Sequence, residues 1–189
     1  TQPATVLSIT DLTPHVRQLV LLPKTQKILF QPGQWVSLQL PVGIKPPLNR
    51  AYSLAEPPSP VGQLTLVFDR VPNGIGSSYL YRPKPSDELL LSGPYGNFAL
   101  PLPPDQNLLF ISRYTGLVPI YCILKQLAAS GTLPQSLLLA VGPAESERLY
   151  HNELLALAAR HPSFRYMPVT ANGTAQEVVE ATVNLLRPL

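Results

Sequence analysis

Apolar positions along the chain follow two different rules on either side of a proline-rich stretch at 101–104. Before it they come in short runs at 16–22, 35–40, 51–55, 64–71 and 88–92, several alternating with polar residues and most bounded by proline or glycine. Strand-length runs with a two-residue period, separated by rigid turns, predict an antiparallel barrel or sandwich. The one helical segment expected in this half is a short turn at 77–81. After the proline-rich stretch, apolar runs at 108–112, 136–141 and 164–168 alternate with helical stretches at 117–129, 149–160 and 176–186, an order of β-α-β-α-β-α. Apolar strands with covering helices between them predict a parallel sheet of the kind that binds nucleotides at its edge.

Composition narrows the class. The 189 residues carry 13% charged side chains and a net charge of +3, too sparse and too balanced for a nucleic-acid binder or a disordered polyanion. Proline, at 23 residues, is more than twice the usual ~5%, in keeping with many short elements and rigid turns. One cysteine, Cys122, excludes an internal disulfide framework and a four-cysteine iron–sulfur cluster, and three scattered histidines give no zinc pattern. No metal site is expected. The most apolar stretch, 107–127, is interrupted by Ser112, Arg113, Thr115, Gly116, Lys125 and Gln126, short of the ~18 apolar residues of a membrane span. With no signal peptide or transmembrane helix predicted, the expectation is a soluble, cytoplasmic protein.

Candidate chemistry sits in three segments. In Arg50-Ala51-Tyr52-Ser53 the arginine can pair with a phosphate, the tyrosine two residues on points the same way and offers a ring, and the serine adds a hydroxyl. Taken alone, the segment reads more readily as an edge strand with an exposed arginine and a packed tyrosine. Gly74-Ile75-Gly76-Ser77-Ser78 lets the backbone approach a ligand and opens a helical turn whose amides suit a pyrophosphate, although a plain glycine turn has the same residues. Gly93-Pro94-Tyr95-Gly96-Asn97-Phe98 closes the β half with another turn-rich stretch.

Together with Phe30-Gln31-Pro32-Gly33-Gln34-Trp35-Val36 and Thr115-Gly116-Leu117-Val118-Pro119, these segments in this order resemble the ferredoxin–NADP reductase superfamily of flavin-dependent oxidoreductases. The resemblance covers most of the chain. It implies an α+β two-domain protein: an FAD-binding antiparallel β-barrel at 1–102, then a short Rossmann-like α/β parallel-sheet domain at 103–189 that handles NAD(P). It implies that Arg50 pairs with a flavin phosphate, that Tyr52, beside Ala51, stacks on the isoalloxazine ring, and that Ser53 hydrogen-bonds near its N5. By the same resemblance Gly74, Gly76, Ser77 and Ser78 hold the pyrophosphate, while Thr115 and Gly116 face the nicotinamide of NADH or NADPH. Ser53 and Thr115 are then the catalytic pair, acting by position. The implied function is electron transfer between NAD(P)H and a protein or small-molecule acceptor through FAD. An acidic electron-transfer protein, or a multi-subunit partner, would meet a basic rim of Lys24, Lys27, Lys45, Arg82 and Lys84, which also reads as solvated loop charge.

The second half departs from the family pattern. Ser112-Arg113-Tyr114-Thr115-Gly116 stands where relatives carry a glycine-rich loop, so Tyr114 competes for the nucleotide's place, and a positive φ at 113 or 114 would cost strain. In Gly142-Pro143-Ala144-Glu145-Ser146, Glu145 suits a ribose hydroxyl and leans towards NAD, while Ser146 and Arg148 keep a 2′-phosphate open. The second domain is expected to be short, because relatives add two strands and a Cys-Gly-Pro motif. Cys122 falls inside a helix and reads as a small buried hydrophobe. Trp35 reads as core, and His15, His151 and His161 have no partner that the sequence identifies. These departures keep a second reading open: a divergent member without nicotinamide turnover, serving as a flavin-binding or assembly subunit.

Overall fold

The computed structural model describes residues 1–43, 46–101, 103–171 and 175–186. Six strands, β1 (Gln2–Asp11), β2 (Val16–Pro23), β3 (Trp35–Leu40), β4 (Leu48–Ser53), β5 (Leu64–Asp69) and β6 (Glu88–Tyr95), form one antiparallel sheet in the order β4-β3-β6-β1-β2-β5. The sheet curls until its edges meet. Leu54, just past β4, bridges Leu66 of β5, and the Ala55 N–H donates to the Thr65 carbonyl at 2.8 Å, so closure rests on a contact rather than a full ladder. Alternate residues fill the inside: Val6, Leu19, Leu21, Val36, Leu38 and Leu66 are fully buried in one cluster, to which the short helix α1 (Ile75–Leu80) adds Leu80.

The other sheet is parallel, β7 (Leu108–Arg113), β8 (Ser136–Gly142) and β9 (Phe164–Thr170) in that order, with α2 (Leu117–Ala129), α3 (His151–Arg160) and α4 (Ala175–Leu186) following the strands in turn. The α2 residues Ile120, Tyr121, Leu124 and Leu127 belong to one apolar cluster with Phe110 and Leu138 of the parallel sheet and with Val16, Ala55 and Val67 of the barrel. A helix buried on both sides must be apolar nearly all round, which explains its composition. Fully burying a leucine such as Leu124 contributes about 1.5–3 kcal/mol, so this shared core is a strong tie between the two sheets. No helix among the described residues is long and apolar enough to cross a membrane.

Three elements differ most from the sequence expectation, the other bounds agreeing to within two residues. β1 was not anticipated, because a register shift between Val6 and Ser8 breaks its alternation and turns Leu7 outward. Its first residue is a buried polar one, Gln2, whose amide is satisfied by the backbone of Thr25 and Gln26. β4 begins at Leu48 rather than at 51, since Asn49, Arg50 and Ala51 are exposed on an edge strand and leave no apolar signal. β6 continues past 92 to Tyr95. Lys45 of the basic rim and the boundary position Leu102 lie outside the described residues.

Candidate active site

β4 and β3 pair with Tyr52 opposite Val36 and Arg50 opposite Leu38, so Arg50 and Tyr52 share one face while Ala51 and Ser53 take the other. α1 lies against the Arg50 face. A Cβ on Gly76 would sit 3.3 Å from Arg50 Cγ and 3.4 Å from both Leu40 Cδ1 and Leu48 Cδ2, so any larger residue would press on the Arg50 stem by a few tenths of an ångström. The Arg50 guanidinium donates to its neighbour's carbonyl, Asn49 O, at 2.9 Å and has no carboxylate partner among the described residues. The Tyr52 ring packs 5.6 Å from that of Phe68, and burial pushes its hydroxyl up to about 12, keeping it protonated. Ser53 is half-buried beside Trp35, its register partner.

The glycine segment separates into committed and free groups. Ser77, 8% exposed, accepts from the Val71 N–H at 3.2 Å and reaches Gly74 O at 3.2 Å, so its hydroxyl closes the turn instead of facing outward. The Gly74 and Ser78 amides donate to Val71 O and Gly74 O, each at 2.9 Å. The amides of Ile75, Gly76 and Ser77 are left as the open first turn of α1, with the exposed Ser78 alongside.

On the other sheet, β7 runs into a single 3-10 turn at Tyr114–Gly116. Arg113 stays extended, but Tyr114 adopts φ 49°, in the left-handed region, at a cost of about 1–2 kcal/mol. The strain expected of this loop therefore falls on Tyr114 alone. Thr115 donates from Oγ1 to Asp69 Oδ1 at 3.1 Å, which fixes the turn against the end of β5. After burial, Arg50 pulls the Tyr52 hydroxyl down and Asp69 adds a smaller upward push. Gly116 is exposed, and a Cβ there would meet nothing within 4 Å.

Next to this turn lies a carboxylate that the sequence did not reveal. Glu147, 6% exposed, accepts from Thr13 Oγ1 at 2.5 Å, from Tyr114 OH at 2.8 Å and from His15 Nδ1 at 2.7 Å. Burial pushes its carboxyl up, but the hydrogen bonds from Thr13, His15 and Tyr114 outweigh it and hold the group below its ordinary value. The Tyr114 hydroxyl is held well above the usual range, first by burial and then by its bond to Glu147. Glu145, expected to suit a ribose hydroxyl, is exposed and paired with Arg148 Nη2 at 3.1 Å. Ser112, Tyr114, Gly142, Glu147, Arg148 and Tyr166 line a narrow crevice of only about 10 Å³ at the carboxyl ends of β7 and β8. Larger cavities of about 410 Å³ and 350 Å³ lie along Ala99, Leu100 and Ile123, away from both groups of polar residues.

Residues 3–100, more than half the chain, match the family model of the oxidoreductase FAD-binding domain. Over 171 residues the chain is 32% identical to ferredoxin–NADP reductase B of Sorangium cellulosum, covering 90% of this chain and 70% of that protein. The chain belongs to the ferredoxin–NADP reductase superfamily. Another superfamily relative, the phenol hydroxylase P5 protein of Acinetobacter pittii, is 35% identical over 167 residues, 87% of this chain and 46% of that one. The crystal structure of the Amycolatopsis cytochrome P450 reductase GcoB superposes with a TM-score of 0.78 at 27% identity, covering 93% of this chain and 53% of that chain. The chain thus spans about half the length of these last two relatives.

Within this superfamily fold, the sequence singled out the strand and glycine residues but missed Thr13, Asp69 and Glu147. All three act across the two sheets, at separations of 46 residues for Asp69 with Thr115 and 134 for Thr13 with Glu147, where no local pattern signals a partner. His15, left without a partner by the sequence, finds its carboxylate in the same way. Cys122 is fully buried, and burial pushes its thiol up to about 12. Lys24 of the basic rim is paired with Glu88 and Lys27 with the Pro60 carbonyl, while Arg82 and Lys84 are exposed.

Proposed function

We propose that this chain forms the FAD-handling and nicotinamide-handling part of an NAD(P)H oxidoreductase, with residues 1–102 as the flavin unit and 103–189 as the nucleotide unit. The observation that carries the reading is the Arg50 and Tyr52 face of β4 set against the close approach of α1 at Gly76. The groups there fit a flavin nucleotide. A guanidinium without a carboxylate partner suits a phosphate, and the open amides of Gly76 and Ser77, with the Ser78 hydroxyl, suit the pyrophosphate. Gly74 contributes by shape, since its amide is already committed. Tyr52 offers a neutral ring for stacking, with Ala51 leaving the neighbouring face uncrowded, and Ser53 offers its hydroxyl beside the flavin N5.

Bound FAD would supply the redox chemistry, accepting two electrons from the nicotinamide and releasing them to an acceptor. The chain's own contribution is placement. Ser53 holds one side of the reacting pair, and the Thr115 turn, pinned by Asp69 and opening at Gly116, holds the other. The acceptor is an electron-transfer protein or oxygenase component, in line with the names of the phenol hydroxylase and cytochrome P450 reductase relatives. An acidic partner surface would meet Arg82 and Lys84, with Lys24 and Lys27 partly neutralised by their own contacts.

A second reading, a flavin-binding subunit without nicotinamide turnover, is favoured by one observation: Tyr114 and Glu147 fill the crevice where a nucleotide would lie. Stopped-flow reduction of the FAD-loaded protein separates the two. With Ser53→Ala, FAD affinity should hold while reduction by NADH or NADPH slows about tenfold or more, the scale of losing one positioned hydrogen bond in a transition state. An unchanged rate in the variant would remove Ser53 from the mechanism. Flavin that neither nucleotide reduces in the parent would favour the second reading.

A further inference from the structure

Glu147 joins two parts of the molecule that are far apart in sequence. Thr13 and His15 lie in the turn between β1 and β2 of the barrel, whereas Tyr114 follows β7 of the parallel sheet. All three bond one buried carboxylate, Thr13 and Tyr114 through Oε2 and His15 through Oε1, so the barrel is stapled to the carboxyl edge of the parallel sheet. Tyr114 takes part from a left-handed backbone conformation that a tyrosine rarely adopts. Local strain of this kind persists where the surroundings hold it in place, and it clusters at ligand clamps and switches.

Behind the staple are two unsatisfied polar atoms. Ser112 Oγ and Arg148 Nε are buried without a hydrogen-bond partner, and both residues line the crevice of about 10 Å³. Ser112 is 6% exposed. The other end of the Arg148 guanidinium is occupied, since Nη2 donates to Glu145 Oε1 and Thr170 Oγ1, each at 3.1 Å. Arg148 Nε is thus left buried and unpaired on an arm whose Nη2 end is fixed, in a residue that lines the crevice. A space this small takes at most one water, and buried polar atoms in native proteins are nearly always satisfied. The carboxyl edge of a parallel sheet is also where open α/β folds bind ligands.

A crevice narrowed to about 10 Å³, a strained tyrosine beside it and two orphaned polar atoms occur together at one edge of the sheet. We propose that Glu147 is a gate: the Thr13, His15, Glu147 and Tyr114 network holds this crevice closed, and a nicotinamide nucleotide enters when the network parts. Ser112 and Arg148 then take up a polar group of the nucleotide, a phosphate or ribose oxygen. Opening also carries a negative charge out of the path of an anionic ligand, so the one movement makes room and removes repulsion. The inference rests on the oxidoreductase reading, and it adds that nucleotide affinity is set by the closed network as well as by the contacts made after binding.

The test is calorimetric titration of the FAD-loaded protein with NADH and with NADPH for the parent, Glu147→Ala, His15→Ala and Glu147→Ala combined with Arg148→Gln. Glu147→Ala should tighten one nucleotide about tenfold or more, the gain expected if no more than about a tenth of the parent is open. His15→Ala, which removes an exposed partner and serves if Glu147→Ala fails to fold, should move in the same direction. Arg148→Gln should abolish the gain. Hydrogen exchange at 112–116 and 145–148 should quicken in both single variants, with FAD affinity unchanged. Unchanged or weaker nucleotide affinity in Glu147→Ala and His15→Ala would overturn the gate and leave a structural staple. A gain that survives Arg148→Gln would overturn the assignment of the orphaned atoms. Should NADH reduce the parent's flavin with an affinity that Glu147→Ala leaves alone, the gate falls and the oxidoreductase reading stands. Should Glu147→Ala bind a nucleotide about tenfold or more tighter than the parent without any flavin reduction, the gate on the nucleotide unit stands and the electron-transfer part of that reading falls.

Discussion

Replacing Arg50 with alanine tests the flavin site through a residue whose loss should cost binding and little else. Its guanidinium is exposed and bonded only to the Asn49 carbonyl among the described residues, so the folded chain loses no ion pair when it is removed. A hydrogen bond to a charged group is worth about 1.5–3 kcal/mol, and exposure to solvent places this one in the lower half of that range. Arg50→Ala should therefore raise the dissociation constant for FAD by about 10- to 30-fold, at 1.4 kcal/mol per decade. Arg50→Lys keeps a point charge but loses the planar fork, and should cost about three- to fivefold. The unfolding free energy of the apoprotein should stay within about 0.5 kcal/mol of the parent in both variants, as for other surface changes. Titration of FAD by fluorescence quenching, paired with urea unfolding of the apoprotein, measures both quantities. Parental FAD affinity in Arg50→Ala would refute the phosphate role, and an apoprotein destabilised by as much as binding is lost would assign Arg50 to the fold.

Other consequences follow from contacts elsewhere. Gly33 has φ 98°, and a Cβ there would fall 1.7 Å from the Phe98 carbonyl oxygen, so Gly33→Ala should destabilise the chain by about 3 kcal/mol or more, read from its urea midpoint. Glu147→Gln should destabilise by about 1–3 kcal/mol near neutral pH. Because the folded carboxyl lies below its unfolded value of 4.5, that stabilisation is complete above 4.5 and is lost as pH falls through the folded value. Urea midpoints of parent and variant should accordingly converge in acid, and a constant gap down to about pH 3 would contradict the network's charge. Cys122, fully buried with its thiol raised to about 12, should resist aromatic disulfide reagents until the protein unfolds, so labelling and unfolding rates should coincide.

The parts of this fold that could be read in the sequence are those where a strand or helix declares itself by its own period. The β3 strand and the α2 helix match their predicted spans, because Trp35–Leu40 alternates cleanly and Leu117–Ala129 is apolar nearly throughout. β1 was hidden by its bulge and β4 by its exposed edge position, so neither shows an uninterrupted alternation. The candidate site divides along the same line. Arg50, Tyr52 and Gly76 form compact local segments, whereas the hydroxyl of Ser77 turned out to be spent on its own turn, a detail fixed by backbone geometry. Glu147 was passed over for Glu145, two positions away. Which of the two is buried depends on a 3-10 turn docking against the barrel, and only the assembled structure decides that.

The measurement that bears most directly on the account is an anaerobic titration of the FAD-loaded protein with NADH and then with NADPH, following the oxidised flavin absorbance. FAD should bind, and at least one of the two nucleotides should bleach it. A bound flavin that stays oxidised in excess of both would contradict the oxidoreductase claim.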